Sequence, residues 1–360
     1  MRRIGLSVAL VLALLAPATR GAAPESKAFG AVDHTAREAF AQQGLSGMGL
    51  SIYDAHGNKV FEQMYGDFSA DRRIPIASAS KLVAGLTILR LVDQGKLSLD
   101  ATTGRVLGWK GAQGVITLEQ LLSFTSGLPP RDSCTLRPGI TLAECVSSLA
   151  KLELVAPPGT RFDYGNTHLH VAGRMAEVAT GKSWDAIFGS ELRAPLGIGA
   201  KAVFYTWPRR PEGTTNPLLA GGLQMTMNEY AKVLELEYHR GVYRGQRLIG
   251  DALFTRQATE PYPDAVIGDT PVGRIGLNYH YGLANWLECA PPAVDCPVQS
   301  SPGAFGFTPW VDRTGGYYAI LGMDVGGRRT GVVKFSVLLA QQLQPLIREA
   351  IKAGRHAPGS

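Results

Sequence analysis

Two short stretches of this chain hold side chains whose types and spacing suit nucleophilic chemistry. The first is "SASK", residues 78–81, followed by the apolar run "LVAGLTILRLV". Ser78 and Lys81 are three positions apart, so on the helix that this run predicts they share a face. A serine in the first turn sits at the positive end of the helix dipole, where an oxyanion is favoured. A lysine one turn on takes the serine proton if desolvation lowers its pKa toward neutrality. Ser80 faces elsewhere and reads as a bystander or a supporting donor. The second stretch is "FDYGNTHL", residues 162–169, which places the Tyr164 phenol beside the Asn166 amide. A tyrosine near the lysine acts as its phenolate or relays protons, and the amide holds the lysine and a substrate carbonyl. Each stretch also has a plain use: a capping serine with a snorkelling lysine, and a turn tyrosine with a capping asparagine.

The order Ser78-x-x-Lys81, then Tyr164-Gly165-Asn166, resembles the first two motifs of the penicillin-recognising serine hydrolases. That superfamily holds class C β-lactamases, DD-peptidases and esterases on the same scaffold. Connecting phrases look like the family too: "GKLSLDAT" (95–102), "LLSFTSGLP" (121–129), "GGLQMTMNEYAKV" (221–233) and "YGLANW" (281–286). The resemblance runs from about residue 45 to 335. It implies an acyl-enzyme on Ser78, with Lys81 and Tyr164 as acid and base, Asn166 binding substrate, and no cofactor or metal.

The third motif departs from the family. Where the family carries Lys-Thr-Gly or His-x-Gly, this chain has Ser301-Pro302-Gly303, followed by Ala304. By resemblance Ser301, Gly303 and Ala304 line the substrate site, and the N–H groups of Ser78 and Ala304 form the oxyanion hole. Pro302 removes one strand donor but not that one. The cation that would hold a β-lactam or peptide carboxylate is missing there, which favours an ester or a small uncharged amide. A β-lactamase or D-alanyl-D-alanine carboxypeptidase is the alternative, and a catalytically weak penicillin-binding-like binding module is a third. Arg313-Thr314-Gly315 and Arg329-Thr330-Gly331 read as a turn and a strand start rather than as the missing motif.

Other chemistries fit less well. "TGKS" (180–183) ends like a phosphate loop, but the required first glycine is Ala176. His168 and His170 are two apart, so on a helix they do not face one metal. There is no Gly-x-Ser-x-Gly elbow. His280 reads as a core or edge residue.

The elements that must position these residues follow from pattern. "HTAREAFAQQG" reads as a helix, "GMGLSIYDA" and "NKVFEQMYG" as a hairpin turned at "HGN", and Ser78 to Gly95 as a helix with Leu82, Val83, Leu86, Leu89 and Val92 at helical spacing. From about 101 to 275, helix-like pieces alternate with Gly/Pro-rich loops. "GAFGFTPWVD", "YYAILGMDV" and "GVVKFSV" read as strands, before an amphipathic helix to about Ala353. The expected fold is α/β and β-lactamase/transpeptidase-like. Its antiparallel sheet draws on both chain ends, about 24–100 and 276–360, with a mainly helical lobe inserted from about 101 to 275.

Residues 1–23 have a basic start, a 13-residue apolar run and small residues at "APA" or "GAA", the three parts of a cleavable export signal. The run is too short to span a bilayer. The remaining chain, 24–360, then forms one hydrolase domain in the periplasm or outside the cell, without membrane contact. The four cysteines pair locally, as Cys134–Cys145 and Cys289–Cys296, in the manner of an exported protein. A formal net charge of +6 falls to about +3 once Arg2, Arg3 and Arg20 are removed, too little for a nucleic-acid partner. The partner implied is a small ester, amide or β-lactam, and the oligomeric state is left open.

Overall fold

A computed structural model describes residues 28–268, 270–324 and 331–354. The export signal read over residues 1–23, and Arg329-Thr330 of the second Arg-Thr-Gly, lie outside the described residues. The front hairpin forms as β1 (Gly47–Asp54) and β2 (Lys59–Gly66), an antiparallel pair. Its turn is fixed by Asp54, whose carboxylate accepts from the backbone N–H groups of His56 and Asn58 at 2.8 and 2.9 Å. Five strands follow late in the chain: β3 (His280–Tyr281), β4 (Trp286–Leu287), β5 (Val298–Ser300), β6 (Thr308–Asp312) and β7 (Tyr317–Asp324). The sheet runs β2-β1-β7-β6-β5-β4-β3, antiparallel throughout. In it β1 meets β7, with Leu50 opposite Leu321 and Ile52 opposite Ala319. Both chain ends thus build one sheet.

Six helices of eight residues or more lie among the described residues: α1 (Gly30–Gln43), α2 (Ser80–Asp93), α3 (Leu142–Leu149), α4 (Thr167–Thr180), α5 (Met227–Tyr238) and α6 (Val332–Gly354). On one face of the sheet, α1 and α6 cover Met48, Leu50, Ile52, Leu321 and Met323, with Leu339, Leu343 and Ile347 of α6 in the same core. On the other face a larger core joins α2 and α5 to the helices of the middle region. Every side chain in β1 and β7 but the last is therefore buried, as in a strand covered on both faces. Among the described residues between 101 and 275 the chain carries helices and only two-residue strands, such as Arg161–Phe162 paired with Val266–Ile267. Two of the middle helices, α3 and α5, start with reciprocal capping boxes, Thr141 with Glu144 and Thr226 with Glu229.

Helix α2 is buried on nearly every side, not along one stripe. Ala84, Gly85, Ile88 and Leu91 join the expected Leu82, Val83, Leu86 and Leu89 inside. A helix apolar all round belongs between two layers, and α2 lies between the sheet and the middle helices. Two expected strands are corrected. "GVVKFSV" continues into α6, because its apolar positions merge with the 3.6-residue period of the amphipathic run behind it. In "GAFGFTPWVD" only Thr308–Asp312 is strand. Its first half is a tight loop closed by the Gly303 N–H donating to the Phe307 carbonyl at 2.7 Å.

Candidate active site

The segment at the foot of α2 is not yet α-helix at Ser78. Residues Ala77–Ala79 form a 3₁₀ turn, and α2 begins at Ser80. In such a turn residues i and i+3 eclipse, so the tighter winding brings the two side chains together. Lys81 Nζ lies 3.0 Å from Ser78 Oγ and donates to the Ala220 carbonyl at 2.7 Å. Ala77, just before the serine, is held at φ 47°, a left-handed conformation that costs energy for a residue with a Cβ. Ser80 helps to hold it: its hydroxyl, fully buried, donates to the Ala77 carbonyl at 2.6 Å and accepts from the Leu223 N–H at 3.1 Å. The Tyr230 hydroxyl donates to the Ala79 carbonyl at 2.8 Å. Ser80 is therefore a brace for the turn that presents Ser78.

Burial strips water from Lys81, and its pKa falls from 10.5 to about 7. The lysine is thus poised between ammonium and free amine near neutral pH. Its Nζ stands 4.5 Å from the centre of the Tyr164 ring. Burial pushes the Tyr164 phenol up to about 12, although interactions with the Ser78 and Trp286 side chains draw it partly back. Tyr164 is a neutral phenol at neutral pH, a proton donor rather than a phenolate. Trp286, at the start of β4, stacks on its ring at 5.1 Å, and Phe124 meets it edge-on at 5.6 Å. Gly165 is required between Tyr164 and Asn166: a Cβ there would lie 2.0 Å from the Pro130 carbonyl oxygen. Asn166 stands just before α4 without capping it through its side chain; its backbone N–H donates to the Pro130 carbonyl at 2.8 Å, and the residue lines the same cavity as Ser78.

The third-motif segment packs directly under the serine. The Ser301 hydroxyl, almost fully buried, donates to the Ser78 carbonyl at 3.3 Å. Gly303 passes so close to this turn that a Cβ would meet the Ile76 carbonyl oxygen at 2.1 Å. Ala304 is exposed and lines a cavity with Ser78, Tyr164 and Pro302. The structure therefore brings Ser78, Lys81, Tyr164, Asn166, Ser301, Gly303 and Ala304 into one locus.

Two histidines singled out above are structural neighbours. His168 Nδ1 lies 2.8 Å from Ser126 Oγ and its Nε2 2.9 Å from the Asp163 carbonyl, and burial lowers its pKa to about 4. It is neutral beside Lys81 and does not compete for the proton. His170 is likewise pulled down to about 4 by burial. His280 pairs with Glu260 at 2.7 Å on the edge strand β3. Ser80 takes the supporting-donor role rather than the bystander one, while sequence reasoning missed Ala220 and Trp286. Both sit in or beside phrases that carried the resemblance, Ala220 just before "GGLQM" and Trp286 closing "YGLANW".

Two cavities flank Ser78. One, of about 470 Å³, is walled by Leu136, Trp207, Pro208, Leu218, Ala220 and Phe305 and includes Asn166. The other, of about 190 Å³, includes Tyr164, Trp286, Ala304, Arg131 and Arg274. Both disulfides are formed. Cys134–Cys145 closes a loop beside the larger cavity, and Cys289–Cys296 closes one between β4 and β5.

This fold, with a serine, a lysine and a tyrosine brought together at the foot of α2, is that of the penicillin-recognising serine hydrolase superfamily. Residues 32–346 match the Beta-lactamase family profile, and the chain belongs to that family. Among curated relatives it is 35% identical over 127 residues to Penicillin-binding protein 4 of Amycolatopsis lactamdurans, covering 34% of this chain and 33% of that protein. It is 30% identical over 166 residues to Protein flp of Staphylococcus aureus, covering 41% and 33%. The matches thus span about a third of the length of these relatives. Among solved structures, a candidate beta-lactamase from Bacteroides dorei DSM 17855 superposes with TM-score 0.76 at 28% identity, over 89% of this chain and 98% of that one. EstCE1, a hydrolase with promiscuous acyltransferase activity, shares the fold at TM-score 0.68 and 19% identity, over 91% and 99%. No described helix is long and apolar enough to cross a membrane.

Proposed function

We propose that this protein is an exported serine hydrolase that cleaves an ester or small amide through an acyl-enzyme on Ser78. The observation that carries the reading is Lys81 Nζ, 3.0 Å from Ser78 Oγ and desolvated to a pKa of about 7. Neutral Lys81 takes the hydroxyl proton as the Ser78 Oγ–carbon bond forms. The bond from carbon to the leaving group then breaks, and the departing oxygen or nitrogen takes a proton from Tyr164, which regains one from Lys81. Water attacks the acyl-enzyme along the reverse course, its proton passing to the Tyr164–Lys81 pair and back to Ser78 as the acid leaves. Asn166 orients the acyl carbonyl. The N–H groups of Ser78 and Ala304 stabilise the oxyanion, a contribution of about 3–4 kcal/mol per donor in such sites. Two disulfides support an oxidising, periplasmic or extracellular location.

A second reading, hydrolysis of a β-lactam or a D-alanyl peptide, is favoured by one observation. Arg131 and Arg274 line the cavity on the Tyr164 side, near the place where Ser301 leaves out the family's cation. A panel of p-nitrophenyl esters and nitrocefin separates the two. Ester turnover well above nitrocefin turnover is expected. Fast nitrocefin cleavage with little esterase activity reverses the order.

A further inference from the structure

We infer that the substrate's acyl group is a medium-length aliphatic or an aryl group, held in the 470 Å³ cavity by Leu136, Trp207, Leu218 and Phe305; this rests on the acyl-enzyme reading of Ser78. The direction of binding follows from the proton donor. The leaving atom must face Tyr164, and Tyr164 lines only the smaller of the two cavities that meet at Ser78. The acyl chain therefore occupies the other, on the Asn166 side. That cavity is far larger than a methyl group needs and falls within the range of about 300–1,000 Å³ typical of small-molecule sites.

Its wall is mostly apolar, with Arg209 and Arg210 also lining it, and it is already built. Leu136 and Trp207 are 47% and 37% exposed, unusual for large apolar side chains, and both border this cavity. Trp207 is fixed by its indole N–H donating to the Leu136 carbonyl at 2.9 Å. The Leu136 segment is anchored in turn by the Cys134–Cys145 disulfide and by the Asn216 amide, which donates to the Cys134 and Arg137 carbonyls at 2.8 and 3.0 Å. On the far side the Arg209 guanidinium lies 5.4 Å from the Phe305 ring, tying the 205–210 loop to the segment after Gly303. Little ordering remains to be done when an acyl chain enters, so each buried methylene is expressed in the rate.

The test is a p-nitrophenyl ester series from acetate to decanoate, with intact-mass detection of the Ser78 acyl adduct in parallel. Burial of each methylene is worth about fourfold, so kcat/KM for hexanoate or octanoate exceeds that for acetate by at least about tenfold. Trp207→Ala and Leu136→Ala, both at exposed positions that a truncation leaves foldable, lower that ratio by about fivefold or more. An adduct on Ser78 with acetate as the best substrate, or an unchanged ratio in both variants, overturns this assignment and leaves the hydrolase reading standing. Absence of any adduct and any turnover overturns both.

Discussion

At the scale of single residues, the chemistry depends on one desolvated cation. Lys81 has a folded pKa of about 7 against 10.5 when exposed, so it is a free amine above neutrality and an ammonium below it. kcat/KM for an ester is therefore expected to rise with pH through an inflection near 7, and a profile flat from pH 5 to 9 contradicts the role of Lys81 as base. The same shift carries a stability signature. Between about pH 7 and 10.5 the unfolded chain binds the Lys81 proton and the folded chain does not, so folding is increasingly favoured as pH rises across that window. Lys81→Met should flatten this dependence in urea midpoints measured at pH 7 and pH 9. Tyr164 is a neutral phenol, and Tyr164→Phe should lower kcat by about 10²- to 10⁴-fold while leaving the aromatic stack with Trp286 in place. The spacing put Ser78 and Lys81 on one face, and Tyr164-Gly165-Asn166 downstream, more than the spacing itself, made their partnership legible in the sequence. The Ala220 carbonyl that fixes Lys81 Nζ was not, because a backbone oxygen from a distant loop leaves no mark in residue type.

At the scale of elements, the site depends on a strained turn and its braces. Ser80 satisfies the Ala77 carbonyl and the Leu223 N–H in a fully buried position. Ser80→Ala leaves both without that partner and should destabilise the fold by about 1–3 kcal/mol. It should also cut kcat more than KM, since the loosened turn carries the nucleophile; an unchanged kcat with normal stability would show that the brace is dispensable. Sequence pattern located β1, β2, α1 and the run of α2 because each is long and periodic. It failed for "GVVKFSV", where valines suggest a strand but continuity with the α6 period decides. It gave no strand at β3 and β4, two residues each, where β4 pairs on the edge of β5 and β3 in turn on β4. Short strands of this kind are set by tertiary partners rather than by propensity.

At the scale of the molecule, β1 meeting β7 joins distant parts of the chain, and the cleft forms where the helices of the middle region face the sheet. Motif order made this arrangement legible, as did apolar runs at both chain ends. The cavities were not, since their walls come from loops whose sequences carry no period. The disulfide at Cys134–Cys145 stiffens one such wall, and Cys134→Ser/Cys145→Ser should cost about 2–3 kcal/mol in urea unfolding. No loss of stability would place that loop outside the cooperative unit. The expectations about activity presuppose that Ser78 is the nucleophile. The most direct test is intact mass spectrometry after treatment with a fluorophosphonate, on the protein and on Ser78→Ala. One adduct, mapped to the peptide carrying Ser78 and absent from the folded variant, is the predicted result. An equal adduct on Ser78→Ala, or no adduct and no ester turnover by the well-folded protein, contradicts the account and favours a binding module on this fold.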